Sequence, residues 1–335
     1  MDSLTKVAVT EAELAAMVRR GFGSDARVSE LVELTEGYYN AAYRLRLADG
    51  QVFVLKVAPP PGMDLLTHEV DLMRTEVRFF EEAREAGAPV PAIAFADLDR
   101  DLVGRDYMFL EELAGESLAQ ADPRLSTVDR GAVRRELGVA IGRVQTVTGE
   151  RYGYPLRDSH TWQPTWREAF LAMIDDILAD AARLDSELPL PRPVIADRFA
   201  RHAALLDAVD RPALVHFDLW DGNIFVRQAG DGWRLTGLID GERAFYGDPY
   251  AEFVSIALFR DIRQLPEVLE GYAAATGEPV EFTEDVLRRI ALYTGYLYLI
   301  MAIEGVTRGF DPVTHEPVRR NVLALLADLL EGLAR

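Results

Sequence analysis

Three side chains with oxygen donors, Asp218, Asn223 and Asp240, stand out in the stretch 214–249, LVHFDLWDGNIFVRQAGDGWRLTGLIDGERAFYGDP. With His216, the first two form an H-x-D-x-x-x-x-N pattern, and Asp240 follows an apolar run. Two apolar segments, 224–226 and 235–239, lie between Asn223 and Asp240, joined by the turn-rich Gln228-Ala229-Gly230-Asp231-Gly232. This is the pattern of a β-hairpin, which brings the residue before its first strand beside the residue after its second. Asn223 and Asp240 should therefore converge, with Asp218 one short loop away. Two carboxylates and a carboxamide oxygen are hard ligands, suited to Mg2+ that shares its shell with water and phosphates. Phosphoryl transfer uses such a set: one Asp orients and deprotonates the attacking hydroxyl, while an Asn and a second Asp hold the metal that bridges the nucleotide phosphates. A surface hairpin with incidental acids is the bland alternative, and three polar residues correctly spaced about one hairpin disfavour it.

The stretch resembles the aminoglycoside phosphotransferase family, small-molecule relatives of protein kinases that include choline and fructosamine kinases. His216-Phe217-Asp218-Leu219-Trp220 is closer to the fructosamine-kinase wording than to the commonest antibiotic-kinase one, and Ile239-Asp240-Gly241 stands where protein kinases have Asp-Phe-Gly. The resemblance implies an α+β, two-lobed, protein-kinase-like fold. Residues 1–111 would form a nucleotide-binding N-lobe of five antiparallel strands plus a helix. Residues 112–335 would form a larger, mostly helical C-lobe with the catalytic loop, the metal site and the substrate-binding region. It further implies ATP as donor, with GTP an alternative, and Mg2+ as cofactor. Asp218 would be the catalytic base and Asn223 and Asp240 the metal ligands. His216 and Arg243 would brace the catalytic loop, and Asp248 would tie the metal loop to the helical core.

The elements that must position this site follow along the chain. Residues 10–20 carry a capping box, Thr10 with Glu13, and an amphipathic pattern that predicts an outer helix. Gly21-Phe22-Gly23 only superficially matches a dinucleotide fingerprint and reads as a helix stop. Strands are expected over 28–34, 42–47 and 52–57, with Asp49-Gly50 as a hairpin turn, then over 91–95 and 107–111. Lys56 sits among apolar neighbours on the third strand. A snorkelling lysine is its ordinary reading, whereas the resemblance makes it the lysine that touches the nucleotide phosphates. A long helix is expected over 65–86, with Glu69 and Glu76 seven apart on one face. Either could clamp Lys56; the distance to Pro89-Val90-Pro91 matches the family and selects Glu76. Asn40, in the Tyr38-Tyr39-Asn40 loop, is a candidate phosphate contact. The backbone at Glu111 and Leu113, just before Gly115, is a candidate adenine hinge.

Beyond residue 126 the pattern is helical: 130–148, 165–184, 194–209, 266–276, 283–307 and 318–333. Gln145 replaces a histidine usual in the family and reads as structural. Asp175, Asp176 and Asp180 lie along one side of a helix, which usually means a solvated face; in antibiotic kinases helices here wall the substrate cleft, so they are candidate amine contacts. Glu304, four residues before Arg308, reads first as half of an ion pair and second as a substrate contact.

Composition limits the alternatives. With 335 residues, about half of them apolar, the chain can build two cores. A net charge of −19 argues against nucleic acid and anionic membranes as partners. The apolar run 291–303 is too short to span a bilayer, and no secretory signal is visible. Cysteine is absent, excluding disulfide and thiolate chemistry. No zinc spacing, Walker A loop or G-x-S-x-G elbow occurs. The expectation is a cytoplasmic phosphotransferase, monomer or homodimer, acting on a small-molecule hydroxyl. The first acceptor is an aminoglycoside or other sugar-containing antibiotic, in resistance or self-protection. Fructosamine-type adducts, and amino-sugar or choline-like alcohols, follow. A catalytically silent nucleotide-binding kinase fold is the alternative of another class.

Overall fold

The computed structural model describes residues 3–37, 39–156 and 159–334. Helix α1 (Glu11–Phe22) starts at Thr10, whose hydroxyl and Glu13 form the expected capping box, and stops at Gly23 with φ 96°. Strands β1 (Val28–Leu34), β2 (Ala41–Leu47) and β3 (Val52–Val57) follow, then helix α2 (Leu72–Glu85) and strands β4 (Ile93–Asp97) and β5 (Tyr107–Glu111). The five strands form one antiparallel sheet in the order β1-β2-β3-β5-β4.

Side chains alternate across a strand, and β3 shows what this does for the site. Phe53, Leu55 and Val57 join α1 residues Met17 and Val18 and β5 residues Tyr107 and Phe109 in a core on one face. Val54, Lys56 and their cross-strand neighbours Met108 and Leu110 face the other way, toward α2. That second core runs without a break into the helical part of the chain.

A short strand β6 (Glu116–Ser117) and helix α3 (Leu118–Ala121) open the second part. They lead to α4 (Thr127–Val144), α5 (Trp166–Arg183), α6 (Arg192–Arg201), β7 (Ala213–Val215), β8 (Ile224–Ala229), β9 (Gly232–Leu238) and β10 (Phe245–Gly247). Helices α7 (Phe253–Ile256), α8 (Pro266–Thr276), α9 (Glu284–Arg308) and α10 (Pro312–Gly332) complete it. Strands β6, β8 and β9 form one small sheet, and β7 pairs with β10 in another. At Gly115, φ is 116° and a Cβ would lie 2.1 Å from the Val226 carbonyl oxygen, so only glycine admits the close approach of the connector to β8. Helix α9 is long and apolar enough to cross a bilayer, yet it is packed against aromatic residues of α5 and against α10 in the core of the helical part. That is the signature of a core helix.

Several expected boundaries move. The helix expected over 65–86 is two pieces, a 3-10 turn (Thr67–Glu69) and α2, separated by Asp71 at φ 58°. The break has visible causes. Asp180 accepts from the Thr67 amide, Glu69 turns back to the Leu66 amide, and Arg100 holds Asp71. The helix expected over 194–209 likewise splits into α6 and a 3-10 turn (Ala203–Ala208) after His202. Helix α4 begins earlier, at the Ser126 cap, and α10 begins at Pro312 and carries Pro317 in its first turns.

Candidate active site

The hairpin β8–β9 sets the geometry. Ile224 pairs with Leu238, and the Ile239 amide donates to the Asn223 carbonyl at 3.0 Å, so Asn223 and Asp240 flank the same end of the ribbon. Asn223 Nδ2 donates to the Asp218 carbonyl at 2.8 Å and to Asp218 Oδ2 at 3.1 Å. This fixes the orientation of the amide and leaves Asn223 Oδ1 as an acceptor. The three residues singled out in the sequence therefore share one corner.

The loop that presents Asp218 is held in a strained form. Phe217 is buried with φ 63°, a left-handed value that L-residues other than Asn and Asp rarely adopt, whereas Asp240, at φ 60°, is of a type that tolerates it. Glu252 stabilises the turn, its two oxygens accepting from the His216 amide at 2.7 Å and the Phe217 amide at 3.1 Å. The imidazole of His216 adds two further bonds. Nε2 donates to the Ile239 carbonyl at 2.8 Å and Nδ1 accepts from the Asp218 amide at 3.2 Å. Both are satisfied by one neutral tautomer, and burial lowers the His216 pKa to about 4. Neutral His216 thus ties the Asp218 loop to the strand end that carries Asp240.

Lys56 reaches this corner from the sheet. Its ammonium donates to Glu76 Oε1 at 2.6 Å, to Glu76 Oε2 at 2.8 Å and to Asp240 Oδ1 at 2.6 Å. Burial opposes the charge on Lys56, but Asp240 and Glu76 outweigh it and raise its pKa. For Asp240 burial is likewise overcome by Lys56, and the pKa is lowered. Burial pushes Glu76 up against the pull of Lys56. Helix α2 is seated directly on the loop after β9: a Cβ at Gly241 would lie 2.2 Å from the Phe79 ring. Between the two candidates for the lysine clamp the geometry chooses Glu76. Glu69 instead accepts two bonds from Arg308, at 2.7 and 3.0 Å.

Other expected residues sit differently. Asn40 is buried, and its Nδ2 donates to Glu242 Oε2 at 2.9 Å. The amide donor of the candidate phosphate contact Asn40 is thus engaged by Glu242, and backbone amides of the same loop are the other donors to a phosphate there. Tyr38 lies outside the described residues. The Glu111 amide donates to the Ala92 carbonyl at 2.8 Å, so Glu111 can offer a hinge ligand only its carbonyl. The Leu113 amide has no hydrogen-bond partner among the described residues, and its side chain packs on Gly237. Arg243 bonds not to the catalytic loop but to Glu304 on α9 at 2.5 Å, and acts on Asp218 only through its charge. Asp248 accepts from Arg289, Tyr293 and the Tyr250 amide, joining the segment after β10 to α9. Gln145 donates to the Pro249 carbonyl and accepts from Tyr272, both structural contacts.

Of the acids proposed to meet an amine, Asp180 is spent on Thr67 and Arg183. Glu304 is spent on Arg243 and Arg308. Asp175 is exposed, and half-buried Asp176 pairs with His160 at 3.0 Å. Two buried acids of the site, Glu252 and Glu242, were not found from the sequence. Glu252 lies far from its partners in sequence and carries no local signal, whereas Glu242, two residues after Asp240, was visible but had no assigned partner.

The donor set fits a divalent cation. Glu76, Asp240 and Glu242 gather about the Lys56 ammonium with Asp218 beside Asp240, Arg243 and Arg308 adding charge from one side, and the buried Asn40 Oδ1 has no partner among the described residues. An excess of acceptors and negative charge is what a hard cation neutralises. Asn223 Oδ1 and the free Asp240 oxygen are the atoms that would hold it. Burial raises the Asp218 pKa to about 7, against the opposing charge of Arg243, which places a proton acceptor near neutral pH.

A five-stranded antiparallel sheet carrying an ion-paired lysine, joined to a helical part with an Asp-Asn-Asp corner, defines a two-lobed, kinase-like fold. Residues 30–293 match the model of the phosphotransferase enzyme family APH, and the chain belongs to that family. No curated protein matches it by sequence. Solved structures share its fold at low identity. A candidate fructosamine-3-kinase from Thermobifida fusca is 20% identical with a TM-score of 0.64, covering 96% of this chain and 99% of its own. A thermostable mutant of the aminoglycoside phosphotransferase APH(4)-Ia, solved with AMP-PNP and hygromycin B, is 17% identical with a TM-score of 0.61, covering 97% and 98%. APH(2")-IIa with gentamicin is 16% identical with a TM-score of 0.62, covering 97% of both chains.

Proposed function

We propose that this family member transfers the γ-phosphate of ATP to a hydroxyl of a small molecule, with Mg2+, in the cytoplasm. The observation that carries the reading is the single corner formed by Asp218, Asn223 and Asp240, with Lys56 anchored by Glu76 at its edge. Residues 1–111 serve as the nucleotide lobe and 112–335 as the acceptor lobe. The bound metal supplies neutralisation of phosphate charge. Asn223 and Asp240 hold it, Lys56 steadies the phosphates, and Asp218 takes the proton of the attacking hydroxyl. His216 and Glu252 keep Asp218 aimed.

Two acceptor classes are in view, an aminoglycoside or other sugar-containing antibiotic and a sugar-amine adduct of the fructosamine type. One observation favours the second. With Asp180 and Glu304 spent on internal partners and half-buried Asp176 paired with His160, exposed Asp175 is the acid of the set without a partner among the described residues, few charges for a polycation. Measuring ATP consumption against a panel of aminoglycosides, ketosamines and amino sugars tests both. Turnover of an aminoglycoside alone would restore the antibiotic reading. Slow Mg2+-dependent ATP hydrolysis, abolished in Asp240→Ala, separates an enzyme from a silent nucleotide-binding fold; no hydrolysis and no turnover of any acceptor would overturn the enzyme reading.

A further inference from the structure

The chain carries 55 acidic residues against 36 basic ones, yet one surface groove reverses this balance. A groove of about 850 Å3 is lined by Arg84, Arg135, Arg143 and Arg234, with Glu136 its single carboxylate. None of its lining residues belongs to the Asp218–Asp240 corner. Two of the guanidiniums have acidic neighbours: Arg135 pairs with Glu270, and Arg234 lies 3.5 Å from Glu136. Arg84 and Arg143 line the groove with no ion pair among the described residues. Arg143 is nonetheless fixed, donating to the Gly87 carbonyl at 3.0 Å. Between the arginines the floor is apolar, made by Val139, Ala140 and Leu235.

Cations brought together on a low-dielectric surface concentrate counter-ions. The planar guanidinium fork matches carboxylate and phosphate oxygens, and the volume lies in the range of small-molecule sites. We propose that this groove binds a small organic anion, one or more carboxylate or phosphate groups on a compact apolar body. Its walls come from both parts of the fold. Arg84 and residues 87–89 belong to the sheet side, whereas α4 and β9 supply Arg135, Arg143 and Arg234. Arg84 is in the last turn of α2, the helix that holds Glu76 against Lys56.

The test is calorimetry on the full chain with the cleft saturated by Mg2+ and AMP-PNP, using phenyl phosphate and phthalate as probes. The expected result is binding of at least one probe at one site per chain, weakening as KCl is raised. Arg84→Ala/Arg143→Ala, both exposed positions, lowers that affinity by about tenfold or more, the scale of one charge-assisted hydrogen bond. Binding of one probe alone identifies the preferred anion. Failure of both probes at millimolar concentration, or equal affinity in the double variant with an unchanged Tm, overturns the proposal. Neither readout depends on phosphotransfer, so the outcome leaves the reading of the cleft untouched.

Discussion

Two buried ionic clusters lie side by side in this molecule, and they are built on opposite principles. In one, Arg308 bonds to Glu69 and Glu304, and Arg243 bonds to Glu304, two cations for two acids. Burial works against Glu304, but Arg243 and Arg308 prevail and lower its pKa. In the other, Lys56 alone serves Glu76 and Asp240, with Glu242 and Asp218 close enough to raise the local negative potential. A closed set of charges ties elements together; a set with acids left over suits a further cation. The first joins the turn before α2 to the end of α9, whereas the second is where chemistry belongs.

The contrast can be broken from either side. The largest effect is expected from Asp218→Ala, which should lower turnover by roughly 10²–10⁴ while nucleotide affinity persists, the scale of a positioned base. Single-turnover kinetics with ATP and the acceptor found by the panel would show it; near-normal turnover would remove Asp218 from the role. Glu252→Ala should cost about 10² in kcat through misplacement of the strained loop, with little change in nucleotide affinity. In the balanced cluster, Glu69→Ala leaves buried Arg308 without its closest hydrogen-bonded partner and should destabilise the fold by about 3–5 kcal/mol. Replacing both, Glu69→Leu with Arg308→Met, should recover most of that loss, since a well-packed apolar pair often matches a buried ion pair. Urea unfolding of the three proteins decides the point, and a double variant no more stable than Glu69→Ala would contradict a balanced pair.

The smallest expected signal is a proton. At pH 6.5 the free enzyme holds a proton on most copies of Asp218, because burial raises its pKa to about 7. A divalent cation nearby favours the ionised form, so binding of Mg2+ with AMP-PNP should release protons below pH 7 and progressively fewer above it. Calorimetry in two buffers of different ionisation enthalpy measures that release. Asp218→Asn should reduce it, leaving the share of the nucleotide phosphate and of buried Glu76, whose pKa is also raised.

Much of this was legible in the sequence wherever the signal is local. The Thr10 capping box, the Asp49-Gly50 turn and the strands 28–34, 52–57 and 107–111 follow from short-range propensity and alternation, and the structure keeps them. The hairpin argument brought Asn223 and Asp240 together because a ribbon's geometry is fixed by its pairing. Long-range choices were not legible. Nothing near Glu69 announces that its partner is Arg308, so the run 65–86 read as one helix. Arg243 was placed against the catalytic loop and bonds instead to α9, a choice made by packing between segments sixty residues apart in the chain. Glu252 holds two amides that carry no side-chain signature at all.

The central claim is that Asn223 and Asp240 form one divalent-ion site that faces bound nucleotide. Titration of Mn2+ by electron paramagnetic resonance, with AMP-PNP present, tests it most directly. Metal held by the wild-type protein should be weakened by about tenfold or more in Asn223→Ala and in Asp240→Asn, the loss expected for one coordinating oxygen of a hard-ligand set. Unchanged Mn2+ affinity in both variants would contradict the claim.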